Sequence, residues 1–242
     1  QGGDLFAMRP EVRQYYDLLF DEVNNQGIVG RATASFHRAL EGGLGLEDRF
    51  DQVLELGSAQ AAHLNFVRHD FATYWLTDLE DHQIDLRSIA RRLRMPDHRH
   101  LEFKTADVQD LPFPDDSFDR VLHTCLLHHV SNPELALTEM RRVTKPGGRL
   151  DLYLPNDPGL MYSSIQRVTT GWKQRRLIRK HSLDLNPAYL RALEHPNHFG
   201  GLRALLRKVF EGDMVREKRF PFPWSSTHVN LYTVATIHKQ AD

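Results

Sequence analysis

One cysteine, Cys125, stands in 242 residues. No intrachain disulfide is open to the chain, which fits a reducing compartment, and a cytoplasmic location is the expectation. Long apolar runs are missing, so no segment reads as a membrane span of about 20 residues, and no secretory leader is expected. Charge of one sign is not in excess. Lys and Arg total 31 against 32 Asp and Glu, a formal net charge of -1. That balance speaks against a general nucleic-acid binder, whose affinity would rest on neutralising phosphates. Repeats and low-complexity segments are absent as well. The most telling lack lies in DQVLELGSAQAAH, residues 51 to 63. Its strand-like start leads to Gly57, and there the glycines stop; Ala59, Ala61 and Ala62 follow.

Hydrophobic residues make up 40% and charged residues 26% of the chain, ordinary values for a globular protein. The opening QGGDLFAM reads in part as a cloning remnant, so residues 8–242 are taken as a single domain. RPEVRQYYDLLFDEV and RATASFHRAL carry apolar residues at helical spacing and give N-terminal helices within 8–45. From residue 51 short apolar runs (QVLEL, ATYWLT, LEFK, DRVLHTCLL, RLDLYLP) alternate with helix-period stretches (QIDLRSIARRL, PELALTEMRRV). Strands alternating with helices imply βαβ units and a doubly wound, mostly parallel sheet buried on both faces. For the helix over 133–143, Ser131 or Asn132 is placed to cap it, Pro133 suits its first turn, and Glu134 sits at its positive end. Residues 156–198 read as an insertion over the sheet's C-terminal edge, where open α/β sheets bind ligands. GLRALLRKVF returns to helical period, and two alternating strands then close the chain as an antiparallel edge hairpin.

The loop after the first strand of such a sheet meets the cofactor. A dinucleotide fingerprint requires glycines at 57, 59 and 62, so the backbone can approach a pyrophosphate. The chain supplies Gly57, Ala59 and Ala62, which argues against NAD. An adenosine cofactor without phosphates is less demanding. It needs one tight turn and, about 20 residues on, an acid for the ribose hydroxyls. YWLTDLED places Asp78 there; the same carboxylate is equally suited to capping the following helix.

LPFPDDSFDRVLHTCLLHHVSNPELALTEMRRVTKPGGRLDLYLPN strongly resembles the class I S-adenosylmethionine-dependent methyltransferases of the small-molecule type. The matching elements are Asp107, Leu111-Pro112-Phe113, Ser117-Phe118-Asp119, Leu127-His128-His129-Val130, Glu139, Arg142-Val143 and Lys145-Pro146-Gly147-Gly148. The resemblance covers roughly residues 50–155. It implies a seven-stranded Rossmann-like sheet with one antiparallel edge strand. It also implies S-adenosylmethionine as cofactor and S-adenosylhomocysteine as product. Glu55 and Gly57, with Ser58 and Ala59 completing the loop, stand where the family meets the methionine part. Asp78, with Leu79 beside it, takes the ribose diol. Asp107 and the Val108 backbone take the adenine. Thr124 and Cys125 offer backbone carbonyls to the ammonium. The departure is Ala59 and Ala61, where the family has two glycines of G-x-G-x-G. Alanine disfavours positive φ, so weaker affinity or a displaced loop is expected.

Methyl transfer from a sulfonium needs an aligned acceptor and, for a hydroxyl, a base. His128 and His129, after the fourth strand, are the candidate bases; packing is the competing reading for at least one, and His123, inside the strand, reads as structural. A lone cysteine and two histidines at this spacing do not predict a metal. Arg167, Lys173, Arg175, Arg176, Arg179, Lys180 and His181 gather positive charge in the insertion, interleaved with Tyr162, Trp172 and Tyr189. Three readings stand: a lid clamping an anionic acceptor, a solvated helix face, or a helix lying on an anionic membrane surface. His195 and His198 either line the same cleft or cap the next helix. The expected function is methyl transfer to oxygen or nitrogen of a small or carrier-linked acceptor. The alternative is a non-catalytic cofactor-binding or scaffold protein with a degenerate loop. Nucleic acid is not the expected partner, since the Asn/Asp-Pro-Pro-aromatic element of amino-group DNA methylation is missing. The sequence leaves the oligomeric state open.

Overall fold

The computed structural model describes residues 27–168, 170–186, 190 and 196–241. The helix expected over 9–23, and Tyr189 and His195, lie outside these residues. Seven strands form one sheet: β1 (Arg49–Leu56), β2 (Asp70–Asp78), β3 (His100–Thr105), β4 (Phe118–His123), β5 (Thr144–Pro155), β6 (Met214–Phe220) and β7 (Tyr232–His238). Their order is β3-β2-β1-β4-β5-β7-β6. The first five are parallel, and β7 runs antiparallel to both β5 and β6. The β6–β7 hairpin thus forms one edge of the sheet, with β6 outermost. The chain fills β1, β2 and β3 to one side and then restarts at β4 on the other, so strand order reverses between β1 and β4. Ligands of such sheets bind in the crevice at that reversal.

Register explains the two cores. Val53 lies beside Tyr74 and Arg120, whereas Leu54 lies beside Trp75 and Val121. Paired residues share a face. The Leu54 face continues through Leu56, Val121, Leu150, Leu152, Ala235 and Ile237, and packs on helices α3 (Pro133–Val143) and α6 (Phe199–Val209). Asn132 caps α3, its side-chain oxygen accepting from the Leu135 N–H at 3.1 Å. The opposite face buries Val53, Tyr74, Leu76 and Leu122 under the 3-10 turn Ala62–Asn65 and helix α2 (Leu86–Arg92), the helix capped by Asp85. Further along this face, Leu40 of helix α1 (Gly27–Leu40) packs on Tyr153, Tyr232 and Val234. Among the described residues of the expected insertion are two helices, α4 (Leu160–Val168) and α5 (Thr170–Lys180).

Several residues of the matching motifs tie the fold together. Arg142 donates to the Leu111 and Phe113 carbonyls at 3.0 and 2.8 Å, and Glu139 accepts from the Leu111 N–H at 2.8 Å. Asp119 accepts from the Gln52 N–H and from Lys145 Nζ. Gly148 leaves no room for a side chain, since a Cβ there would lie 2.7 Å from the Lys145 carbonyl oxygen.

Between the two apolar patches of the α1 face sits a cluster of buried charge. Arg120, on β4, is fully buried and donates to Asp151 on β5 at 2.9 Å, to Glu41 at 2.7 Å, and to the Leu40 carbonyl at 3.2 Å. Glu41 bonds His63 Nε2 at 3.0 Å and accepts from the Arg68 N–H. His63 Nδ1 meets His37 Nδ1 at 2.9 Å. Arg149 and Thr236 also donate to Asp151. Every charge is paired, as burial demands. Removing one partner strands the others, at about 3–5 kcal/mol. Arg120→Ala is expected to destabilise the protein by about that amount, read from the urea midpoint.

Burial holds the imidazoles of His37 and His69 neutral. His37 is lowered to about 3, by burial first and the neighbouring His63 second. His69 is lowered to about 4, by burial and then by Arg120. An unfolded histidine takes up its proton near pH 6.5, so acid favours the unfolded chain between that value and the folded ones. Stability should be level above about pH 6.5 and fall at about 1.4 kcal/mol per pH unit per histidine below it. Denaturant melts between pH 8 and 5 check this; a midpoint that moves only below the carboxylate range would contradict it.

Candidate active site

The crevice opens past the C-terminal ends of β1, β2 and β4. Gly57 leaves β1 at φ 66°, Ala59 follows at φ 43° and Ala61 at φ 56°. The two alanines therefore adopt the left-handed conformation a glycine-rich loop would use. Each left-handed alanine costs about 1–2 kcal/mol relative to the right-handed region. The surroundings hold the loop there. The Ser58 N–H donates to the Thr77 carbonyl at 2.9 Å, the Ala59 N–H donates to Asp78 Oδ2 at 2.9 Å, and the Ala61 N–H donates to the Ser58 carbonyl at 2.8 Å. Ala61 is itself fully buried in the core. Gly57 faces the segment after β4, because a Cβ there would come within 3.1 Å of Leu126. The loops after β1 and β4 are thus in contact.

The cofactor residues expected from the sequence gather at this edge, with one placed deeper. Asp78 ends β2, binds the loop through one oxygen, and has His82 Nε2 3.5 Å from the other. Leu79 beside it is an exposed apolar side chain at 48%. The Ala106 N–H donates to the Asp78 carbonyl, which brings Asp107 to the adjacent strand end. Asp107 accepts from the backbone and side chain of Gln109, and Gln109 accepts in turn from Ser131 and from the Asn132 N–H at the start of α3. Val108 is buried. Thr124 is buried and Cys125 exposed just beyond β4. Glu55 lies inside the molecule, where Oε2 accepts from Tyr74 at 2.9 Å and burial raises its pKa. Its carboxylate faces the core beneath the loop rather than the crevice. Ser58 Oγ is buried with no hydrogen-bond partner among the described residues.

His128 and His129 follow on a turn, with ring centroids 3.9 Å apart. His128 is buried, with Nε2 3.6 Å from Cys125 Sγ; His129 is half-buried. His123 is fully buried among apolar side chains, and burial lowers its pKa to about 3. It is neutral at physiological pH and plays no part in the crevice. Sequence reasoning missed Asn197. Its side-chain amide donates to the Leu127 and Val130 carbonyls at 3.1 and 2.6 Å, and its N–H reaches the His128 carbonyl at 3.4 Å. One residue thereby fixes the turn carrying both histidines. The only signal was an amide, with its two donors, in the irregular EHPNHFGG.

Two residues after Asn197 helix α6 begins, and a cleft of about 620 Å³ opens beside it, lined by Asn156, Asp157, Phe199, Arg203, Arg207 and His228. Arg203 is engaged by Glu217 at 2.8 Å, with Arg207 3.7 Å from the same carboxylate. His198 is exposed and makes no side-chain cap to α6. On α5, Arg175, Arg176, Arg179 and Lys180 are exposed, and Trp172, also exposed, lies under the Arg176 guanidinium at 5.8 Å. Leu177 turns inward and is buried. No described helix is long and apolar enough to cross a membrane.

Residues 54–152 match a family model described as a methyltransferase domain. A demethylmenaquinone methyltransferase of Clavibacter sepedonicus is 44% identical over 145 residues, 49% of this chain and 58% of that protein. A fatty-acid O-methyltransferase of Mycolicibacterium smegmatis is 34% identical over 97 residues, 40% of this chain and 34% of that protein. The chain spans 28% to 58% of the curated relatives that head the comparison. Among solved structures, the N-methyltransferase NodS from Bradyrhizobium japonicum, in complex with S-adenosylhomocysteine, aligns with a TM-score of 0.60 at 12% identity. It covers 96% of this chain and 100% of that one. A possible histamine N-methyltransferase from Thermotoga maritima aligns with a TM-score of 0.57 at 18% identity, covering 95% and 100%.

The strained loop yields a direct test. Ala59 is partly exposed, so removing its methyl leaves no core cavity. Ala59→Gly exchanges the left-handed strain for greater freedom of the unfolded chain. A net gain of about 0.5–1 kcal/mol is expected, measured as a raised melting midpoint. A lowered midpoint would show that the loop carries no such strain.

Proposed function

As the chain carries a class I S-adenosylmethionine-dependent methyltransferase domain, we propose that the whole protein transfers the cofactor's methyl group to oxygen or nitrogen of a small or carrier-linked, anionic acceptor. The observation that carries this reading is the loop after β1. Gly57, Ala59 and Ala61 keep positive φ at a cost in strain, with the Asp78 carboxylate bound to the loop itself. The loop so held offers what an adenosine cofactor without phosphates needs, a tight turn with an acid at its side. The residues present fit the cofactor: a ribose acid in Asp78, an adenine acid in Asp107, an exposed Leu79 for the ring, and an unsatisfied Ser58 hydroxyl. When bound, the cofactor supplies a methyl group already activated on sulfonium. The chain's part is to hold the acceptor in line and remove its proton. His129, half-buried beside buried His128, is the better exposed of the two candidate bases.

The acceptor side supports an anion. Arg203, Arg207 and His228 line the cleft next to the histidine turn, and α5 adds four exposed cations. On this reading the helices over 156–198 act as a lid. The named relatives are a demethylmenaquinone methyltransferase and a fatty-acid O-methyltransferase, matched over 49% and 40% of this chain, so their acceptors do not carry over.

Calorimetric titration with S-adenosylmethionine and with S-adenosylhomocysteine tests the proposal. Both should bind the wild type, and Asp78→Ala should weaken each at least tenfold without unfolding the protein. A folded wild type that binds neither would leave only the scaffold reading.

A further inference from the structure

Read along the chain, Cys125, His128 and His129 are an unconvincing ligand set. In the fold they converge. One ligand atom from each lies within 4.8 Å of the others. We infer that these three residues form a binding site for a soft divalent cation, zinc(II) in the first place. The inference extends the methyl-transfer reading by naming how the acceptor is activated.

Four observations support it. Cys125 Sγ and His128 Nε2 are 3.6 Å apart. In a tetrahedral site with Zn–S of about 2.3 Å and Zn–N of about 2.0–2.1 Å, sulfur and nitrogen ligands are separated by about 3.6 Å. The donors are one sulfur and two imidazole nitrogens, with no carboxylate in the group. Such donors select zinc, cobalt or copper over magnesium or calcium. The turn is held before any ion arrives, because Asn197 bonds the carbonyls of Leu127, His128 and Val130. Asn197 thus fixes the backbone from which both imidazoles project. Finally, Cys125 is exposed as a residue, which gives an ion a way in from solvent, while burial pushes its thiol up to about 12, so that the incoming ion is what draws off the proton. Three protein ligands and one open position mark catalytic rather than structural zinc.

The chemistry balances without a further reactant. An acceptor hydroxyl or thiol entering the fourth position releases its proton to solvent, because the ion lowers its pKa. Its lone pair then forms the bond to the methyl carbon. The carbon–sulfur bond of the sulfonium breaks and leaves its pair on sulfur, giving the thioether product. His129 serves here as a ligand, and the ion takes over the work a free imidazole would do.

The test uses tag-free full-length protein, stripped with chelator, desalted and titrated with cobalt(II). Expected are saturation at one cobalt per chain, intense visible bands of four-coordinate cobalt, a thiolate-to-cobalt charge-transfer band, and displacement of all three by zinc. Cys125→Ser should lose the charge-transfer band, and Asn197→Ala should keep the band but bind cobalt more weakly. Circular dichroism on each variant confirms that it is folded. Absence of a saturable spectrum in the wild type, or an unchanged spectrum in Cys125→Ser, overturns the inference. A parallel S-adenosylmethionine titration of the stripped protein separates the two ideas. Cofactor binding without cobalt binding sinks the metal site alone, whereas cobalt binding without cofactor binding sinks the methyl-transfer reading.

Discussion

Arg120 carries a full charge into the middle of the sheet, and much of the molecule is arranged around satisfying it. Its three hydrogen bonds reach β5 through Asp151, the residue after α1 through Glu41, and the end of α1 through the Leu40 carbonyl. Glu41 then reaches His63, in the short turn that follows the cofactor loop. The loop is thus anchored at both ends: before Gly57 by the β1 ladder, and after Ala61 by a turn locked to the buried charge. Two left-handed alanines persist only where the surroundings over-determine them. The charge cluster supplies that constraint from beneath, and the hydrogen bonds of Asp78 and Thr77 supply it from the side.

The strands, the alternation with helices, the α3 cap and the place of Asp78 were legible in the sequence, because each is written in local periodicity or a short motif. What was not legible depends on partners far away in the chain. Arg120 sits in FDRVLH, an otherwise apolar strand, and its acids lie 79 residues before and 31 after. Nothing local distinguishes such an arginine from one at a solvated edge. Glu55 was placed at the cofactor by its position in the motif, yet Tyr74, from the next strand, holds it inside. The alanines were expected to weaken or shift the loop. Local propensity speaks against left-handed alanines, but it carries no information about the distant partners that hold them there.

The site divides along the same line. One half, the residues expected at the cofactor, comes from consecutive strand ends within the stretch 54–152 that the methyltransferase-domain model matches, where short motifs suffice to recognise it. The other half is assembled from segments around 125–129, 156–159, 197–207 and 228, brought together only by the fold. Asn197 shows the consequence. It belongs to the irregular segment before α6, but its bonds are spent on the turn after β4. Helix α6 and the histidine turn are therefore tied together through one residue that no short motif marks.

The sheet's two rims have a consequence for the behaviour of many copies together. β3 ends the sheet on one side and β6 on the other. Along β3, His100, Glu102, Lys104 and Thr105 are exposed, and along β6 Met214, Arg216 and Lys218 are. A strand from another molecule adding to either rim would have to cover these charges without offering them partners. The unpaired amides and carbonyls of both edges are thereby left to water. Crowding many copies together then concentrates the protein without giving its sheets a template on which to grow into fibres.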